Sequence, residues 1–199
     1  MTKLVDYYFS PMSPWTYLGH ARFEHIASKA GADIRVKPVD FGRIFSVSGG
    51  LPLAKRAPQR QAYRLVELQR WRDHLRVPLN LHPKFFPVDT TPASLLIIAT
   101  TAKEGQAAAF KLTGALLRSV WNEERNLADV ETLKTILRDQ GLSEDLISRA
   151  QSPEAKATYD SLTQEATERQ VFGAPTYVYK DELFWGQDRL EFLERALAR

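Results

Sequence analysis

The sequence predicts an α/β domain in the order βαβ…ββα that is split by a large, all-helical insertion. Helical spacing of apolar residues dominates the middle of the 199-residue chain, from about 57 to 169. Strand-like runs lie outside that region, at 4–9, 34–39, 175–179 and 183–185. The two observations predict a discontinuous α/β domain, residues 1–52 with 166–199, around a helical insertion domain at 53–165.

The first strand leads directly into a helix. Residues 4–9 are rich in β-branched and aromatic side chains, which favour strands. Ser13 is a favoured N-cap residue, and Pro14 suits the first helical position because an N–H there has no helical partner. Apolar residues then recur at helical spacing until Gly31, which is expected to end the helix.

A second strand and a short helix complete the first half of the α/β domain. Residues 34–39 alternate as a strand, and a right-handed crossover makes this strand parallel to the first. A short helix at about 42–48 then leads into the flexible segment Ser48-Gly49-Gly50.

Proline, glycine and capping residues divide the insertion into several helices. Prolines between 78 and 87 break the first helical run, and Thr91-Pro92 begins the next. Gly105 interrupts that run, Asp129 caps a later helix, and Gly141 ends it.

The chain returns to the sheet near its end. The runs 175–179 and 183–185 are predicted to form a hairpin through Lys180-Asp181-Glu182. A closing helix follows, with an apolar stripe formed by Leu190, Leu193 and Leu197.

A local excess of basic residues accounts for the net charge of +3 and the isoelectric point near 9.1. Between residues 54 and 76, two acidic residues oppose seven basic ones: Lys55, Arg56, Arg60, Arg64, Arg70, Arg72 and Arg76. A solvated helix face, with Tyr63, Val66 and Trp71 turned inward beside the apolar stem of Arg70, is favoured over a nucleic-acid or membrane surface. A third interpretation is that some of these arginines border an entrance for anionic aromatic carboxylates.

Several classes of protein do not suit the composition. The chain has no cysteine, which excludes structural disulfides and a protein disulfide oxidant. No signal-peptide pattern or membrane-length apolar stretch occurs, so we expect a soluble, cytoplasmic enzyme. The four histidines have no metal-binding spacing, and no metal is expected.

Ser13 is the first candidate site residue. A group at a helix start faces free N–H donors and the positive end of the helix dipole, so an anion beside it is stabilised. If that anion is a thiolate, its sulfur must arrive with a ligand, because the protein contains no cysteine. Simple helix capping is the alternative role for Ser13.

Two further candidates lie near the end of the chain. Pro175 precedes a strand, so the Ala174-Pro175 bond is a candidate for the cis form, which would turn the N–H and C=O of Ala174 towards an extended peptide ligand. Gly186-Gln187-Asp188 offers an amide and a carboxylate at the start of the closing helix. A capping-box role is the alternative for Asp188, because an acid there is followed three residues later by Glu191.

These motifs, in this order, resemble those of the DsbA-type thioredoxin superfamily, and more narrowly the 2-hydroxychromene-2-carboxylate isomerases and kappa-class glutathione transferases. The resemblance extends over the whole chain and implies a thioredoxin-like fold, glutathione as cofactor and a homodimer. It further implies that Ser13 hydrogen-bonds the glutathione sulfur. It implies that Ala174, next to Pro175, pairs with the glutathione cysteine, and that Gln187 and Asp188 hold the γ-glutamyl end.

The resemblance also implies the chemistry. In the isomerases, the glutathione thiolate adds reversibly to a small aromatic enone acid, bond rotation follows, and the sulfur leaves again. In a kappa-type transferase the sulfur stays on the product, and this is one alternative function. A non-catalytic thioredoxin-like binding protein is the other.

The predicted substrate pocket departs from these relatives. Trp15 and Arg43 are expected to line it, together with Ser46 and Gly50, which stand where isomerases usually carry a lysine and an asparagine. Asp89 replaces a further asparagine after Phe-Pro-Val. These changes put the chromene substrate in doubt, and Arg43 or Lys55 is a candidate to supply the missing cation.

Overall fold

A four-stranded mixed sheet forms the centre of the computed structural model, which describes residues 2–199. The strands are β1 (Lys3–Phe9), β2 (Ala32–Pro38), β3 (Thr176–Tyr179) and β4 (Glu182–Trp185). They lie in the order β2-β1-β3-β4, with β2 parallel to β1 and both other neighbouring pairs antiparallel. The predicted order βαβ…ββα is confirmed.

Helices surround the sheet and fill the middle of the chain. They are α1 (Pro14–Ala30), α2 (Phe41–Ser48), α3 (Pro58–Leu75), α4 (Thr91–Glu104), α5 (Gln106–Trp121), α6 (Val130–Asp139), α7 (Asp145–Ala150), α8 (Pro153–Glu168) and α9 (Leu190–Leu197). Short 3-10 turns lie at Leu53–Lys55 and Gln187–Arg189. Within residues 2–199, no helix is both long enough and apolar enough to cross a membrane.

The local signals of the sequence act as predicted. The Ser13 hydroxyl accepts a hydrogen bond from the N–H of Thr16 at 3.2 Å and caps α1. Gly31 ends that helix in the left-handed conformation, with φ at 62°. Asp129 caps α6 through a 2.9 Å bond from the N–H of Thr132. Side-chain chemistry at the helix ends therefore predicts these boundaries correctly.

One hydrophobic core joins the sheet to the inserted helices. The rings of Tyr7 on β1 and Tyr177 on β3 stack with their centroids 5.4 Å apart. Phe23 of α1 and Leu112 of α5 belong to the same buried cluster. The predicted domain boundary at 165/166 falls inside α8, so the division into two domains stays a prediction.

The structure corrects the predicted inner face of α3. Tyr63 and Val66 are 59% and 43% exposed, whereas Leu68 is fully buried. Trp71 and Leu75 pack against the core on the same side as Leu68. Two stripes compete on this helix, and the one that combines Leu68, Trp71 and Leu75 removes more apolar surface from water.

A buried carboxylate holds three basic residues at the middle of the sheet. Asp6 on β1 is 2% exposed and pairs with Arg35 at 2.8 Å, with Lys37 at 3.0 Å and with Arg169. Burial alone would raise the pKa of Asp6. Hydrogen bonds and attraction from Arg35 and Lys37 outweigh burial, so its pKa lies below the ordinary value.

We expect Asp6→Asn to lower the free energy of unfolding at pH 7 by about 3 kcal/mol or more, because three cations would lose their buried partner. A carboxyl group with a lowered folded-state pKa stabilises the protein above its unfolded-state pKa, and that contribution is lost as pH falls through the folded-state value. The difference between wild type and variant should therefore narrow below about pH 4. Urea unfolding at pH 7 and pH 3 measures both effects.

The matched control is Asp181→Asn, which removes the exposed carboxylate that pairs with Arg169 at 2.7 Å. An exposed ion pair contributes only about 0–1 kcal/mol, so little change is expected at either pH. Equal effects of the two substitutions would contradict the role of Asp6.

Candidate functional site

The pairing of β1 with β3 brings the two ends of the chain together. Tyr8 lies opposite Thr176, so the end of β1 is beside the start of β3. Ser13 follows the first strand, and Ala174-Pro175 precedes the third. Both sequence motifs consequently lie at the same end of the sheet.

The start of α1 offers unused hydrogen-bond donors. The Ser13 oxygen accepts the N–H of Thr16, which leaves its hydroxyl proton free to donate. The N–H of Trp15 has no partner among the described residues. An anion placed here would meet these donors and the positive end of the helix dipole.

The backbone of Ala174 is also unpaired. The Ala174-Pro175 bond is cis, as predicted. The carbonyl of Gly173 accepts the Thr176 hydroxyl at 2.7 Å, and the carbonyl of Pro175 accepts the N–H of Gly186 at 2.9 Å. Ala174 lies between these two residues, and its own N–H and C=O have no hydrogen-bond partner within residues 2–199. This peptide can therefore pair with an extended ligand in the manner of an added strand.

A cavity of about 580 Å³ opens beside these groups. Trp15 and Ala174 line it, together with the segment Trp185–Arg189. Helix α3 forms the opposite wall with the positively charged Arg60 and Arg64. The cavity therefore joins Ala174 and Asp188 to the basic helix. Ser13 and Pro175 do not line it, although each lies within two residues of a lining residue, Trp15 or Ala174.

Asp188 lines this cavity and does not cap α9. Helix α9 begins at Leu190, with Arg189 in the cap position and no side-chain capping bond. The Asp188 carboxylate contacts the Arg189 guanidinium at 2.6 Å, and no described backbone N–H donates to it. The capping-box interpretation is therefore wrong, because the helix starts later than the spacing indicated. A carboxylate without a capping role is left at the cavity.

Gln187 anchors the same segment to α1. Its side chain is buried, and its carbonyl oxygen accepts the Arg22 guanidinium at 2.8 Å. A Cβ atom on Gly19 would lie 2.7 Å from the Cβ of Gln187, so only glycine permits this approach. The oxygen of Gln187 thus has a protein partner, although the residue borders the cavity.

Four residues predicted for the substrate pocket do not line this cavity. Arg43 pairs with Asp160 at 2.6 Å, and Ser46 donates to the carbonyl of Arg43 at 2.6 Å. Asp89 accepts a backbone N–H at the start of α4 at 2.9 Å. Gly50 packs against the ring of Phe45 in α2. Only Trp15 of the predicted pocket residues borders the cavity.

The sequence left the role of the basic residues between 54 and 76 undecided. Arg56, Arg60 and Arg64 line the cavity, which matches the third interpretation of the basic helix. Trp185 was not predicted and also lines it. Its position directly before Gly186 is the one feature of the sequence that could have indicated Trp185 as a cavity residue. The side of the hairpin that its ring faces depends on the tertiary fold.

His20 lies in the core rather than at this cavity. It lies 3.2 Å from both the Tyr7 hydroxyl and the carbonyl of Phe110, and burial lowers its pKa to about 4. His20 is therefore a neutral residue of the core. Residues 2–199 contain no group of three or more His, Cys, Asp or Glu side chains that could hold a metal ion.

Comparisons with known proteins agree with this architecture. The family model described as a DSBA-like thioredoxin domain matches residues 4–198. A 2-hydroxychromene-2-carboxylate isomerase of Sphingobium xenophagum is 30% identical, covering 99% of both chains. An isomerase of the same name from Pseudomonas putida is 33% identical over 98% of this chain and 95% of its own.

Solved structures give the same picture. A 2-hydroxychromene-2-carboxylate isomerase structure has a TM-score of 0.82 and 30% identity, over 98% of this chain and 95% of that one. The cytosolic disulfide reductase DsbM of Pseudomonas aeruginosa, described with GSH, has a TM-score of 0.69. It is 17% identical over 98% of this chain and all of its own, so this second likeness concerns the fold alone.

We expect Asp188→Ala to change the free energy of unfolding by less than about 0.5 kcal/mol, because the one partner of its carboxylate within residues 2–199 is the exposed Arg189. Asp129→Ala is the matched control, since Asp129 does cap a helix and its loss should cost about 1 kcal/mol. Urea unfolding of both variants measures the difference. A loss at Asp188 as large as that at Asp129 would restore the capping role.

Proposed function

Because the chain belongs to the DSBA-like thioredoxin domain family, and within it to the 2-hydroxychromene-2-carboxylate isomerases, we propose that it is a glutathione-dependent isomerase of aromatic enone acids. The isomerase activity rests on the name shared by the three curated relatives. Glutathione dependence rests on Ala174 and Asp188, which line the cavity, and on Ser13 at the start of α1.

The observation that carries the proposal is the match between three groups of the site and three parts of glutathione. The unpaired peptide of Ala174 suits the cysteine backbone, which would add to it as a strand. The free hydroxyl proton of Ser13 suits the sulfur. The Asp188 carboxylate suits the γ-glutamyl ammonium.

Bound glutathione would supply a nucleophilic sulfur that adds to the conjugated carbon chain and is released unchanged after bond rotation. Ser13 and the N–H of Trp15 favour the charged form of a sulfur beside them and so lower its pKa from about 8.5. The helix dipole of α1 acts in the same direction. The apolar ring of Trp15 offers a surface for the aromatic part of the substrate.

A kappa-type glutathione transferase is the second candidate. Ser46 and Gly50 lack the cation and amide that isomerases usually carry there, and both lie outside the cavity. A different electrophile would suit that departure. The same thiolate would then remain on the product.

The function is tested by following the isomerisation of an aromatic enone acid by ultraviolet absorbance, with and without reduced glutathione. We expect turnover only with glutathione, and none with S-methylglutathione, which has no free thiol. Equal rates without glutathione would refute the cofactor. A thermal shift with both peptides but no turnover of the acid would leave the transferase and the non-catalytic binding protein as the remaining functions.

We expect Asp188→Asn to weaken the binding of reduced glutathione by about tenfold or more, because a hydrogen bond to an ion contributes about 1.5–3 kcal/mol. Isothermal titration calorimetry measures the change. Asp181→Asn is the control, since Asp181 is an exposed acid at the β3–β4 turn and does not line the cavity. Unchanged affinity in Asp188→Asn would remove this residue from the site.

We expect Ser13→Ala to raise the thiol pKa of bound glutathione, because the thiolate loses a hydrogen-bond donor. The ultraviolet absorbance of the thiolate, followed against pH, reports this directly because the protein contains no cysteine. Ser46→Ala is the control, because Ser46 lies in α2, away from the start of α1, and donates only to the carbonyl of Arg43 among the described residues. Identical titrations of wild type and Ser13→Ala, together with a loss of stability, would leave Ser13 with capping alone.

A further inference from the structure

Arg64 lies on the face of helix α3 that packs against the protein. Arg64 precedes the buried Leu68 by one helical turn and is itself only partly exposed. Its guanidinium lies 5.1 Å from the ring centre of Phe86 and 5.7 Å from that of Trp121. Two aromatic faces therefore hold this cation, and Arg64 borders the cavity.

This guanidinium has no anionic partner among the described residues. The acids that share the cavity wall are already paired, Glu67 with Arg70 at 2.8 Å and Asp188 with Arg189 at 2.6 Å. No described hydrogen-bond acceptor or carboxylate lies within bonding distance of Arg64. A partly buried charge without a partner is unfavourable, so a site of this kind is suited to an incoming anion.

The neighbouring arginine strengthens that preference. Arg56 donates to the carbonyl of Leu51 at 2.8 Å and also has no described carboxylate partner. Burial, and then repulsion from Arg56, lowers the pKa of Arg64 to about 10. An anion between them would offset both effects.

Arg64 is linked to the sulfur-binding end of the site through one side chain. The indole N–H of Trp121 donates to the carbonyl of Met12 at 3.2 Å. Met12 directly precedes Ser13. The ring on which Arg64 lies therefore also holds the loop that leads into α1, so an anion at Arg64 would be bound close to a ligand at Ser13.

We propose that Arg64 binds the carboxylate of the aromatic enone acid and so determines specificity for substrates that carry this group. The inference rests on the proposed function. In such an acid, only two atoms separate the carboxylate from the carbon that the sulfur attacks, which matches a cation held near Ser13. The planar guanidinium can engage a carboxylate with two parallel hydrogen bonds. Arg64 thus supplies the cation that Ser46 does not.

The test measures binding rather than turnover. Benzylidenepyruvate is titrated by calorimetry into protein saturated with S-methylglutathione, which cannot react. We expect Arg64→Met to weaken its binding by about tenfold or more. Arg72→Met is the matched control, because it removes the same charge from the same helix at a position outside the cavity, and a change within twofold is expected.

The methyl ester of the same acid separates charge from shape. It should bind wild type and Arg64→Met equally, since it has no carboxylate for the guanidinium to hold. If Arg64→Met does not fold, Arg64→Lys takes its place, with severalfold weaker binding of the acid and no change for the ester, because an ammonium lacks the planar fork. Equal affinity of wild type and variant for the acid would overturn the proposal.

Glutathione itself has a glycine carboxylate, which is the other possible source of the anion. Titrations of wild type and Arg64→Met with reduced glutathione and with its glycine ethyl ester distinguish the two. Arg64→Met could weaken the binding of reduced glutathione while leaving the affinities for its glycine ethyl ester and for benzylidenepyruvate unchanged. That result would assign Arg64 to the cofactor and refute the proposal. Arg64-dependent binding of the acid in a protein that binds no glutathione would support it while refuting the proposed function.

Discussion

The antiparallel pairing of β1 with β3 is the constraint on which the rest of the site depends. It joins strands from opposite ends of the chain and sets Tyr8 beside Thr176. Closing so long a loop costs conformational entropy, which burial of the Tyr7 and Tyr177 rings against the inserted helices offsets. Ser13 and Ala174 lie at the same end of the sheet because this pairing holds. The helical insertion therefore supports the site even where its own residues do not line it.

Local chemistry explains why much of the fold was predictable from the sequence. Ser13, Gly31 and Asp129 determine helix ends through groups within a few residues, so their effects are visible in the sequence. The inner face of α3 was mispredicted because two stripes had similar composition, and only contact with the core selects between them. Asp188 was ambiguous for a related reason, since the true start of α9 depends on how its segment packs against α1.

The substrate pocket was the least predictable part. Arg43 and Asp89 were placed there by comparison with relatives, but each has a local partner in this chain. Arg64 gave no signal beyond membership in a basic run, because its isolation from acids is a property of the folded surroundings. Asp6 shows the contrast. It is more deeply buried, yet three cations surround it, so its charge is satisfied without a ligand.

The close approach of Gly19 to Gln187 means that α1 determines the position of the segment that borders the cavity. Ser13 begins this helix, and Gly19, six residues later, contacts the segment that carries Asp188. The helical rise puts about 9 Å along the axis between these two positions. Ser13 begins α1, and Gln187, next to Asp188, packs against the same helix, so α1 positions both Ser13 and the segment that carries Asp188. Under the proposed function, a thiol without a γ-glutamyl arm would reach Ser13 but fall short of Asp188, and the site would then select its cofactor by length as well as by charge.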